Sequence, residues 1–130
     1  DPELLTEYVR QRISKAMLAP YLQEGKVLNV MILERNLEET LMKNIKQTEH
    51  GAYLALEPGL VEKTVNAVAA EVEKVVSTDT QPVIMCGPAL RRHLRKLIEP
   101  SLPSVFVVSH AEIPDDVNIQ ASGKVQLNNE

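Results

Sequence analysis

The chain has 130 residues, 44% of them hydrophobic and 25% charged, which suits one compact domain with a core that needs no disulfide or metal staple. A net charge of −4, an aromatic content of 3% and no tryptophan argue against a nucleic-acid surface, which requires basic charge and stacking platforms. The single cysteine, Cys86, excludes an internal disulfide and fits a reducing compartment, and three scattered histidines give no metal-ligand spacing.

No apolar run is long enough to cross a bilayer, and the N-terminus lacks a charged-then-apolar leader pattern. The chain opens on Asp1 rather than methionine and reads as a piece of something longer.

Asp1-Pro2-Glu3 is a helix start, with an acceptor for free backbone N–H groups and a proline suited to the first helical position. Leu4, Leu5, Tyr8, Val9, Ile13, Ala16 and Met17 then recur at three- and four-residue spacing, and Pro20 ends the helix. Tyr21 to Lys26 reads as a polar connection. Val27 to Leu33 is a nearly continuous apolar run, the pattern of a strand covered on both faces. Asn36, with Glu39 three residues on, predicts a capping box for a short helix carrying Leu37, Leu41 and Ile45. Thr48 to Leu56 is open between a loop and a short strand.

Pro58-Gly59 begins the longest periodic segment, with Val61, Val65, Val68, Val72 and Val75 on one face. Beta-branched residues favour helices poorly, so packing must hold this one together. Ser77 to Gln81 is a loop and Pro82 to Cys86 a strand. Gly87-Pro88 turns into a helix with Leu90, Leu94, Leu97 and Ile98 on one side, ended by Pro100 and Pro103. Val105 to Val108 is the next strand, completing a βαβ unit expected to be parallel and right-handed. After the turn at Ile113 to Asp116, Val117, Ile119, Ala121 and Val125 alternate with polar residues, predicting a half-exposed strand at a sheet edge. The fold class expected is α/β: a small mixed sheet with a βαβ unit flanked by helices, preceded by one helix from a neighbouring subdomain.

The basic helix is the strongest candidate site. Arg91, Arg92, Arg95 and Lys96 give residues 87–99 a charge of +3 against −7 for the rest of the chain. Two readings stand: a solvated outer face, or a docking surface for an acidic partner, helix or lipid headgroup. Gly87-Pro88 at a strand-to-helix turn lacks the glycine-rich phosphate motifs, and Pro88 removes a donor. Cys86 followed by Gly87 lies where a nucleophile elbow would sit, with His110 after the adjacent strand. The surrounding motif is absent, and an inert core thiol is the expectation. Asp115 and Asp116 read as turn formers rather than acid-base groups. No catalytic, cofactor-binding or metal-ligating constellation emerges.

Three stretches carry a resemblance. Leu4 to Arg10, Pro82 to Ile84 with Leu90 to Pro100, and Ser109 to Pro114 resemble, in order, segments of the cytoplasmic region of bacterial type III export-gate proteins of the flagellar FlhA family. The resemblance implies a non-enzymatic docking and scaffold module without cofactor. It places residues 1–22 as the terminal helix of a third cytoplasmic subdomain and 23–130 as a fourth, α/β subdomain. The full protein would be a ring-forming homo-oligomer at the cytoplasmic face of the bacterial inner membrane, anchored through an N-terminal half absent from this chain. Its partners would be export substrates, their chaperones and ATPase-complex proteins. Leu5, Tyr8, Val9 and Ile13 would then lie at a subdomain or ring interface, and Arg91, Arg92, Arg95 and Lys96 at a partner surface. The segment around Ile113-Pro114 favours the flagellar branch. The virulence export gate is the alternative, and a small nucleic-acid-binding α/β domain a more distant one.

Overall fold

The computed structural model describes residue 9, residues 15–78 and residues 80–127. Its sheet is built on β2 (Val27–Leu33), the run whose apolar continuity predicts cover on both faces. β2 pairs along its whole length with β7 (Asn118–Val125), in parallel. Its other edge is shared. The first half meets β1 (Leu22–Gln23), antiparallel, and the second half meets β5 (Val83–Cys86), parallel. β6 (Phe106–Ser109) lies beyond β5, again parallel. The 83–86 and 105–108 runs are therefore parallel neighbours as expected, with the second strand starting one residue later. The amide of Val105 is used instead in a turn to the Leu102 carbonyl.

The alternation of side chains along these strands separates two apolar layers. Met31, Leu33, Ile84, Cys86, Val107 and Val125 face one way and are buried under α1 (Arg35–Lys43), α2 (Pro58–Val76) and α3 (Pro88–Ile98). Leu37 and Leu41 come from α1, Val68 and Val75 from α2, and Leu90, Leu94 and Ile98 from α3. These are the apolar stripes that the helical spacing predicts. Leu28, Val30, Val83 and Val108 face the other way, against Leu18, Ile113 and the partly buried Tyr21 and Val117. The second layer thus draws on short segments at either end of the chain.

Several local expectations are corrected. The cap of α1 is Glu34, whose carboxylate accepts from the Asn36 amide at 2.6 Å. Asn36 lies inside the helix. A carboxylate two residues before a free N–H competes well for the cap position because its charge also meets the helix dipole. Ile45 is not helical but opens β3 (Ile45–Thr48), which pairs antiparallel with β4 (Gly51–Leu54). This hairpin settles the open stretch after Thr48, and the positive φ of Gly51 permits its tight turn. Tyr21 to Lys26 is more than a connection: Leu22 and Gln23 pair with Leu28 and Val27 across a turn in which Gly25 and Lys26 both have positive φ.

β7 holds an edge position, pairing among the described residues only with β2. Its expected alternation is absent. Residues 118–122 are exposed on both faces, with Ile119 45% exposed, and only Val125 is fully buried. A bulge lets Ser122 fall between the partners of Val30 and Met31. The next residue, Gly123, admits the Glu71 carboxylate so closely that a Cβ would lie 2.7 Å from its Oε2.

Candidate functional site

Of the residues expected on the terminal helix, Leu5, Tyr8 and Ile13 lie outside the described residues. Val9 is helical and 46% exposed. Residues 15–18 are helical, and the chain then tightens into a 3-10 turn at Ala19–Tyr21. Leu18 is buried against the sheet while the neighbouring Met17 is half exposed.

The basic helix α3 begins at Gly87 in extended conformation, with Pro88 in its first turn. The Gly87 amide donates to Glu38 Oε2 at 2.9 Å. A carboxylate of the protein itself therefore occupies the anion position at this helix start, which speaks against a phosphate there. Cys86, just before it, is buried and its thiol is pushed up to about 12, by burial first and by Glu38 second. His110 sits exposed in a 3-10 turn (His110–Glu112), beyond the strand end. The thiol is a core group with no thiolate character near neutral pH. Asp116 pairs with Lys26 at 2.7 Å, and that hydrogen bond holds its carboxyl below the usual range. Among the described residues, no group of three His, Cys, Asp or Glu side chains is placed to hold a metal ion.

Leu90, His93, Leu94 and Ile98 form the buried side of α3, and the four cations divide between its two flanks. Arg91 and Arg95 lean towards the outer edge of β6. Arg91 Nε lies 3.5 Å from Glu112 Oε1, and Arg95 Nη1 donates to the Val105 carbonyl at 2.7 Å. Arg95 also meets Glu99 at 2.9 Å. Glu112 in turn accepts from the Ser109 amide at 2.9 Å. These contacts close polar groups at both ends of a short edge strand, a protection that exposed sheet edges need. Arg92 and Lys96, one turn apart on the other flank, are exposed and make no ion pair with a described residue.

Two grooves border the helix. One, of about 270 Å³, lies between the first turns of α3 and the β3–β4 hairpin and is lined by Ile45, Gln47, Ala52, Ala89, Arg92 and His93, among others, with Arg91 bordering both this groove and the next. The second, of about 260 Å³, runs along β6 beside Arg91, Arg95, Met17 and Pro103. It includes a stacked pair, Tyr21 on Phe106, with ring centroids 4.8 Å apart. Neither the hairpin wall of the first groove nor the aromatic pair of the second is marked by a sequence pattern. The only cue is that Phe106 is the sole phenylalanine.

Fold and surface together define a mixed-sheet α/β module that carries a basic helix bordered by shallow grooves. The chain belongs to the FHIPEP family, whose model matches residues 1–118. It is 35% identical over 127 residues to the flagellar biosynthesis protein FlhA of Bacillus subtilis, a match covering 98% of this chain and 19% of that protein. The chain thus spans about a fifth of the length of that relative. Among solved structures it is similar to the nonameric EscV cytosolic domain from the type III secretion system, with a TM-score of 0.70 at 30% identity over 97% of this chain and 37% of that one. It is also similar to the Chlamydia pneumoniae CdsV solved in complex with CdsO, with a TM-score of 0.72 at 32% identity over 97% of this chain and 37% of the other. Among the described residues, no helix is long and apolar enough to cross a membrane.

Proposed function

We propose that this chain is the cytoplasmic docking and scaffold module of a flagellar type III protein-export gate. The observation that carries the reading is the family match across residues 1–118, joined to a fold shared over nearly the whole chain with a cytosolic domain that assembles as a nonamer. In this reading residues 1–22 close a third subdomain and 23–130 form a fourth. The full protein forms a ring at the cytoplasmic face of the inner membrane, and the module receives export substrates, chaperones and ATPase-complex proteins. The partner role is supported by the CdsV–CdsO complex, and the ring role by the exposure of Val9 on the helix expected at an interface. The flagellar branch rests on the likeness to Bacillus subtilis FlhA, and the likeness to EscV supports a virulence gate as the second reading.

The test is affinity capture with this chain from the lysate of a flagellated bacterium, read by mass spectrometry. Enrichment of flagellar export components is expected. Recovery of a metabolic complex, or of ribosomal particles released by salt, would overturn the reading.

A further inference from the structure

The two flanks of α3 are not equivalent, and the difference locates a site. Arg91 and Arg95 are engaged by Glu112, Glu99 and the Val105 carbonyl. Arg92 and Lys96 are not engaged by any described residue, and they stand i, i+4 on an exposed flank, roughly 6 Å apart at their Cβ atoms. Below Arg92, His93 forms part of the groove wall. Its side chain is 6% exposed and hydrogen-bonds to no described residue.

We infer that the groove between α3 and the β3–β4 hairpin docks a short acidic segment of a partner protein, one carboxylate on Arg92 in the groove wall, a second on Lys96 one turn beyond it, and an apolar side chain between Ile45, Ala52 and Ala89. The inference rests on the docking role proposed above and narrows it to one flank of one helix.

The chemistry selects this occupant over others. At about 270 Å³ the groove lies below the range of about 300–1,000 Å³ typical of small-molecule sites, and its apolar wall suits a side chain. Burial, then the charges of Arg92 and Lys96, hold His93 below its ordinary range, so the ring is neutral near neutral pH and its N–H can donate to a carboxylate. A nucleic acid or an anionic membrane would present many negative charges at once. The −7 background around this helix repels such a polyanion, whereas two local carboxylates meet only the two free cations. Glu38, already seated on the Gly87 amide, keeps an anion away from the helix start and leaves the flank one turn further on as the place for it.

The experiment selects random short peptides displayed on phage against the immobilised chain, then measures the best peptide by fluorescence anisotropy. Enrichment of Asp or Glu pairs three or four residues apart around a Leu, Ile or Met is expected. Arg92→Glu with Lys96→Glu should weaken binding at least tenfold, Arg92→Gln with Lys96→Gln should weaken it less, and Lys63→Glu on α2 should leave it unchanged. Melting curves verify that each variant folds. Peptides without acidic enrichment, or binding indifferent to the double reversal, would overturn the inference. So would charge-dependent binding of phosphatidylglycerol vesicles or single-stranded RNA in preference to any peptide. A failed selection leaves the export reading standing, because lysate capture of gate components does not depend on this groove.

Discussion

Replacing Arg95 by Met keeps the aliphatic stem over the helix and removes the guanidinium that closes the edge of β6. The lost hydrogen bond is short, 2.7 Å, and its acceptor belongs to Val105, which is fully buried. A hydrogen bond to a charged group contributes about 1.5–3 kcal/mol, and an exposed i, i+4 pair such as Arg95–Glu99 adds at most about 0.5 kcal/mol. The Arg95 side chain keeps 36% exposure, so water recovers part of the loss, and the expected destabilisation is about 1–2.5 kcal/mol. Arg92→Met removes the same charge from the same helix but breaks no hydrogen bond or ion pair with a described residue, and should stay within about 0.5 kcal/mol. Urea unfolding at constant pH and salt separates the two, provided the denaturant slope is unchanged between variants. Equal shifts for the two variants, or an Arg95→Met cost below about 0.5 kcal/mol, would refute the division of the basic helix into a structural and a free flank.

Leu94→Ala should cost about 2–5 kcal/mol in the same assay, because Leu94 is fully buried between α3 and the sheet and its removal leaves a cavity. Cys86, with its pKa pushed up to about 12, should not react with a disulfide reagent at mildly alkaline pH until denaturant unfolds the chain. Rapid labelling of the native protein would show that the strand end is open. His93 is held neutral in the folded state, so on acidification the unfolded chain takes up the proton first. Its contribution to stability is therefore present above the unfolded value of about 6.5 and lost as pH falls below it. His93→Gln should flatten the decline of stability between about pH 7 and pH 5, and an unchanged pH profile would contradict the assignment.

The main elements are legible in the residues because each carries a period and a stop. The apolar run at Val27 to Leu33 and the leucine spacing of α3 become buried surface where the pattern puts it, whereas of the α2 valines Val68 and Val75 are buried, Val65 and Val72 are partly buried and Val61 stays outside the core cluster. The hairpin is not legible. In β3 Lys46, Gln47 and Thr48 are all exposed, so no alternation marks it, and the alternation of β4, with Ala52 and Leu54 half-buried, runs over only four residues. The cap of α1 is misread because Asn36 is the commoner capping type, while Glu34, two residues earlier, supplies the charge that wins. The four cations of α3 are visible as a cluster, but their division is not. Which flank meets the edge of β6 depends on how α3 crosses the sheet, and on the distant Glu112 turning back to meet Arg91. The groove wall at Ile45 and Ala52 belongs to the hairpin and is hidden for the same reason.

The central proposal, a working part of a flagellar export gate, is tested most directly by exchange. In Bacillus subtilis, the segment of FlhA aligned with this chain is replaced by it, and swimming and export of flagellar proteins are measured beside the level of the chimera in the membrane. Export and motility are expected to be restored above the level of an FlhA lacking that segment. A chimera present at normal amounts and assembled in the membrane, yet no better than the deletion, would contradict it.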